Sequence, residues 1–339
     1  MIRRRIRLVL RIVAAVLVML LAALAISVVF LRLTNPRMRQ ARQWMRAAVM
    51  HNARGEVAAA NVDRHLVVAG GLHGIGRTSR AVDVYDIQRN EWTQAPSLPT
   101  PRHHAAAASL GQYVYVSGGA PGATDWTATD TLWRAPPGLP WKAFARMPEG
   151  RQGHAMVALG GRLYVVGGVG RTDRTLIYEA SRDRWTTGAP LPAGRDHLRA
   201  VVYHGEIWAI GGRSDAPTDR VDIYNPKTGR WRSGPDLPRP MSAMAVGVLE
   251  DKVHVVGGED PGLFGGEVID EHFFIGRNDR SWRRAPRAAL PVHGAAYGVY
   301  QNLLIVSGGA SREGMLSTIS WTPVTQMYRT APYVLRVVR

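Results

Sequence analysis

The chain of 339 residues contains no cysteine. That excludes disulfides, thiolate metal ligands, a lipid-modified N-terminal cysteine and cysteine nucleophiles. Lysine is scarce as well, occurring only at Lys142, Lys227 and Lys252, so the cationic charge is nearly all arginine. Acidic residues are missing from the first 55 positions, which hold eleven arginines. Apolar residues make up 46% and charged residues 20%, which excludes a disordered chain. The 36 glycines and 21 prolines suit an all-β chain rich in turns rather than a helical one. A formal net charge of +17 would ordinarily suggest nucleic acid. Here the excess is concentrated beside an apolar run, while residues 56–339 hold 32 basic and 26 acidic groups. Membrane topology accounts for that distribution, and no nucleic-acid partner is expected.

The apolar run covers residues 12–31, uncharged throughout and with Ser27 as its polar member. A helix of that length spans about 30 Å, the thickness of a bilayer's hydrocarbon core. The sequence therefore predicts a basic cytoplasmic flank over 1–11, a transmembrane helix over 12–31 acting as a signal-anchor, and a linker over 32–41. A cleaved signal peptide is the alternative, with Ala23-Leu24-Ala25 as its site, although the run continues past it. Arginines stand on both sides; the tighter first cluster favours a single-pass protein of the inner (cell) membrane with its folded part outside the cytoplasm, in the periplasm.

Beyond the linker the chain repeats. Gly-Gly pairs begin at 70, 118, 167, 211, 257 and 308, and each ends a short β-rich run. Trp44, Trp92, Trp141, Trp185, Trp231 and Trp282 each stand 26 positions before the first glycine of a pair. The interval between them reads as strand, proline-rich turn, small-residue strand, turn, strand. The stretch from the second glycine to the next tryptophan varies from 17 to 24 residues, so one loop per repeat is adjustable on a constant scaffold.

Tyr85…Trp92, Tyr178…Trp185 and Tyr224…Trp231, each seven residues apart and each after a Gly-Gly pair, resemble the kelch repeat. Repeat two departs with Arg134 at the tyrosine position, and repeat five with Ile275. The resemblance implies an all-β, six-bladed kelch β-propeller over 42–322. The ring must close, and the register of Trp44 makes 42–47 the outer strand of the last blade, whose third strand is expected near 318–321. The tail 323–339 has no counterpart in the repeat and stays unassigned.

Sixteen residues before each Gly-Gly pair, where an inner strand begins, stand Arg54, Arg102, Arg151, Arg195, Met241 and Val292. Near them are His104, His154, His197 and His293. The resemblance implies that Arg54, Arg102, Arg151 and Arg195 contact acidic ligand groups at the channel mouth, guanidinium suiting carboxylates, and the neighbouring His104, His154 and His197 complete the expected ligand-binding set. Equally, these arginines pair with loop acids such as Glu149 and Asp196 and serve packing. No catalytic motif is found, no H-x-H or H-E-x-x-H metal pattern, and no cofactor signature. The copper chemistry of galactose oxidase needs a cysteine that this chain lacks. The expected function is a membrane-anchored scaffold binding a protein, peptide or glycan; the alternative is a sugar mutarotase similar to sialic-acid epimerases, which need only acid–base groups and a carboxylate-binding arginine.

Overall fold

A computed structural model describes residues 2–33, 37–39, 43–122, 124–169, 173–261 and 266–330. The chain divides into two compact units, 1–36 and 37–339. The first contains a single helix, Ile2–Leu33, longer than the run 12–31 read from the sequence. Its side chains are described at 10–26 and at 29, all of them exposed. Among the described residues no helix is long and apolar enough to cross a membrane; the uncharged run 12–31 extends past the described side chains.

The second unit contains six four-stranded antiparallel sheets. Blade one is Ala58–Val62, His65–Ala69, Val82–Asp86 and Glu91–Ala95, from the axis outward. Blades two to five follow the same order, beginning at Ala106–Leu110, Ala155–Leu159, Arg199–Tyr203 and Ala245–Leu249. Blade six takes Ala296–Tyr300, Leu303–Ser307 and Thr325–Arg329 from the end of the chain and Trp44–Arg46 from its start. Each inner strand packs on the next, and the sixth packs back on the first. The third strand of blade six is therefore Thr325–Arg329, not the segment near 318–321, which lies in and beside a 3-10 turn, Gly314–Ile319. The propeller accordingly extends into the tail that the repeat pattern left unassigned.

Two devices repeat six times and fix the blades to one another. Every register tryptophan donates its indole N–H to the carbonyl four residues beyond the tryptophan of the preceding blade. The acceptors are Pro286 for Trp44, Ala48 for Trp92, Pro96 for Trp141, Ala145 for Trp185, Ala189 for Trp231 and Pro235 for Trp282, at 2.8–3.1 Å. A buried indole that finds its acceptor contributes a net ~1 kcal/mol besides its apolar area.

The second device is the Gly-Gly pair. Its second N–H donates to the next blade's strand-start carbonyl, as in Gly71 to Arg102 at 2.7 Å and Gly119 to Arg151 at 2.8 Å. The first glycine has positive φ, and a Cβ there would lie 2.3 Å from Arg102 O at Gly70 and 2.2 Å from Arg151 O at Gly118. No other residue fits that approach.

The inner strands are rich in alanine because six of them converge. They leave an axial channel of about 350 Å³ lined by residues such as Ala60, Ala108, Val157, Val201, Gly247 and Gly298.

Candidate functional site

At the strand-entry end of this channel lies a closed belt of main-chain hydrogen bonds. Each blade contributes the residue fourteen positions before its Gly-Gly pair: Glu56, His104, Gly153, His197, Ala243 and Gly294. His104 N–H donates to Glu56 O, Gly153 to His104, His197 to Gly153, Ala243 to His197, Gly294 to Ala243 and Glu56 to Gly294, at 2.7–3.0 Å. All six have positive φ, between 51° and 62°. For the four that are not glycine this backbone costs about 1–2 kcal/mol each. The belt over-determines the conformation, and strain of this kind concentrates at functional sites.

Three belt positions carry chemistry and three are small, and the small ones make room. A Cβ at Gly294 would lie 2.1 Å from Glu56 Oε1, and one at Gly153 would lie 3.3 Å from His197 Nδ1. Glu56, His104 and His197 are buried, and one ligand-type atom from each falls within 4.8 Å of the other two. Around them, His293 Nδ1 lies 3.4 Å from Glu56 Oε1 and 3.3 Å from Glu259 Oε2. Arg213 donates to Glu259 at 2.8 Å and to His197 Nε2 at 3.2 Å. Trp126, half exposed, covers the rings of His103 and His104, with centroids 4.8 and 5.1 Å away.

The cluster sorts its own protons. Burial opposes a charge on Glu56, but the surrounding imidazoles, His104 foremost and then His293 and His197, outweigh it and hold the carboxyl well below the usual range. Burial equally opposes a charge on His293, yet Glu259 and Glu56 push this imidazole up to about 9. His104 goes the other way: burial drives it well below the ordinary histidine value despite Glu56. One histidine pushed up and one pushed down thus flank a single carboxyl group, a spread of proton affinities that acid–base chemistry uses.

The arginines expected at the mouth are held elsewhere. Arg54 and Arg151 are fully buried, and Arg195 and Arg102 almost so. Arg54 pairs with Asp83 at 2.6 Å and donates to Val68 O. Arg151 reaches Glu149 and Gly167 O. Arg195 holds Asp222 at 2.8 Å together with Gly211 O and Ala209 O. Arg102 caps Pro101 O and lies over Trp133. Their guanidinium groups satisfy carbonyls and acids within the propeller wall, which is the packing alternative. His154 is likewise buried against Ser117 Oγ at 2.8 Å. Of the sequence-derived set, His104 and His197 alone reach the axial cluster.

A Kelch motif is matched at residues 53–99, 150–192 and 194–238. The fold agrees with the solved "Structure of YjhT" at a TM-score of 0.70 and 16% identity, over 83% of this chain and 96% of that one. This chain is a kelch-repeat protein. Curated relatives are similar over shorter stretches. Kelch repeat protein M-T8 of Myxoma virus (strain Lausanne) is 36% identical over 77 residues, 22% of this chain and 15% of that protein. Kelch-like protein terF of Aspergillus terreus is 27% identical over 205 residues, 56% of this chain and 44% of its own length. The chain thus spans less than half the length of these kelch relatives.

Glu56 and His197 lie inside matched kelch repeats and His104 in an unmatched one. Glu56 and Arg213 carry no metal or catalytic spacing along the chain, and Glu259 is legible there only as an acidic residue of the fifth loop that could serve acid–base chemistry. The signal was present in the register: counted back fourteen from each Gly-Gly pair, the ring reads Glu, His, Gly, His, Ala, Gly.

Proposed function

We propose that this kelch protein is a binding propeller, tethered to a membrane by its N-terminal helix, that captures a protein, peptide or glycan on the face bearing the belt. One observation carries the reading. Outside the helix, the large apolar side chains exposed among the described residues are Val49, Ile75, Trp126, Val169, Leu316 and Leu139. Four of them, Ile75, Trp126, Val169 and Leu316, stand in loops that follow Gly-Gly pairs, and Val49 lies in the outer-to-inner link. All five belong to the belt face; Leu139, in a turn between third and fourth strands, belongs to the other. Apolar anchors around a polar centre are the composition of a recognition surface.

The test is cross-linked capture by the full chain in its own membranes, comparing Ile75→Ser/Trp126→Ser with Leu139→Ser. Loss of a captured partner with the first and retention with the second is expected. Equal capture by both variants would remove the binding face.

Tethering is supported by the uncharged run 12–31, and an extracytoplasmic propeller by the arginine-dense flank before it. Because the chain has no cysteine, a single Asp125→Cys, labelled in intact cells by a membrane-impermeant maleimide, reports sidedness directly. Labelling only after lysis would reverse the assignment, and release of the protein by alkaline washing would exclude the anchor.

Sugar mutarotation is the second reading, favoured by the His293–Glu56–Glu259 set. Anomer exchange above background on a sialic acid, lost in His293→Gln, would establish it; background rates with the wild type would exclude it for that sugar.

A further inference from the structure

We propose that Glu56, His104 and His197 form a three-ligand site for a divalent transition-metal ion on the propeller axis, a cofactor site independent of which partner the outer loops bind. The argument rests on where the imidazole protons are. A carbonyl and a carboxylate can only accept, and a guanidinium can only donate.

His103 Nε2 therefore donates to Gly122 O at 3.0 Å, which leaves His103 Nδ1 bare in the neutral ring. That nitrogen accepts from His104 Nδ1 at 2.5 Å, so the Nε2 of neutral His104 is bare in turn. The bare nitrogen faces Glu56 Oε2 at 3.4 Å, two acceptors with no proton between them. His197 reaches the same state independently. Its Nδ1 donates to the Asp196 carboxylate, and its Nε2 accepts from Arg213.

With ligand atoms of the three residues gathered within 4.8 Å, His104 thus presents an Nε2 lone pair to Glu56 and His197 carries one that Arg213 holds, each ring fixed in its tautomer by a hydrogen bond at Nδ1. This is the outer-shell support that metal-bound histidines receive, an Asp–His pair among them. Two imidazoles and one carboxylate make a donor set for zinc or ferrous iron, with coordination positions left for water or a substrate. The belt supplies rigidity, and Gly153 and Gly294 supply the space. Arg213 is the built-in competitor: it holds the lone pair of His197 and has Glu259 and Asp196 to receive it when an ion arrives.

The experiment uses the full chain in detergent, without a polyhistidine tag, stripped with a chelator and titrated with Zn²⁺ against a chromophoric competitor. One equivalent is expected to bind. His104→Gln and His197→Gln are each expected to weaken it at least tenfold, and Asp196→Asn by about 10–100-fold, the loss typical of an outer-shell partner. Arg213→Met, which removes the competitor, is expected to bind as tightly as wild type or more so. Co²⁺ loading adds a readout besides affinity, since its visible absorption should change in each histidine variant. The melting temperature of each metal-free variant confirms that it is folded; a variant that is not is replaced by His→Ala at the same position. Absence of stoichiometric binding, or binding indifferent to both histidine substitutions, would overturn the site.

Discussion

His154 is a buried neutral ring whose proton can be counted. It lies among the inner strands of blades two and three, its Nε2 on Ser117 Oγ, and burial together with the field of Arg151 pushes it down to about 3. In the unfolded chain the ring titrates near its ordinary value of 6.5. Between those values the unfolded state binds the extra proton, so stability rises with pH across the window by up to about 1.4 kcal/mol per unit. The contribution is fully present above the unfolded value and is lost as pH falls toward the folded one. At pH 5 the loss relative to pH 8 is about 2 kcal/mol, or about 3 °C in Tm for a cooperative unit of roughly 290 residues. His254 and His272, pushed down to about 4 and about 3 mainly by burial, lose stability in the same direction. They cancel when wild type is compared with His154→Gln. The prediction is therefore a double difference: by scanning fluorimetry in one buffer series, the gap between wild type and His154→Gln narrows by about 2 kcal/mol from pH 8 to pH 5. A gap that stays constant refutes the placement of this histidine as a buried neutral group and reopens its role as a ligand contact.

Gly118→Ala and Gly111→Ala both place alanine at positive φ, but the first also drives a Cβ onto Arg151 O while the second meets nothing within 4 Å. Denaturant titration should show Gly111→Ala costing about 1–2 kcal/mol and Gly118→Ala at least about 2 kcal/mol more. Trp185→Phe leaves Ala145 O without its indole donor and is expected to cost about 1–2 kcal/mol, measured the same way. Arg54→Met strands Asp83 and should cost about 3–5 kcal/mol, whereas Arg54→Met/Asp83→Leu should recover part of the loss. A double variant less stable than the single would show that this arginine acts through something other than the ion pair.

The regular spacing of tryptophan and Gly-Gly made the blades legible in the sequence because each spacing corresponds to one physical contact between neighbours. Trp44 could be placed at the ring closure for that reason, although its strand partners lie at the other end of the chain. Its counterpart could not. In blades one, three and four the tyrosine opposite the tryptophan stands seven residues before it, and the rings of Tyr85–Trp92, Tyr178–Trp185 and Tyr224–Trp231 have centroids 4.9–5.1 Å apart. In blade six the same pairing joins Trp44 to Tyr328, with centroids 5.4 Å apart. A seven-residue pattern cannot register a partner across the closure, so Thr325–Arg329 was left in an unassigned tail. The course of the arginine side chains was illegible for a different reason: register places a residue along a strand but does not say where a long side chain goes. Arg54, Arg151 and Arg195 turn into the wall and donate to carbonyls of their own blade beside the Gly-Gly exit, while Arg102 donates to Pro101 O. Two positions further on, the belt residues have short reach and a left-handed backbone that aims them at the axis. Side-chain direction there follows from main-chain geometry that six positions share, and that geometry appears only once the ring is closed.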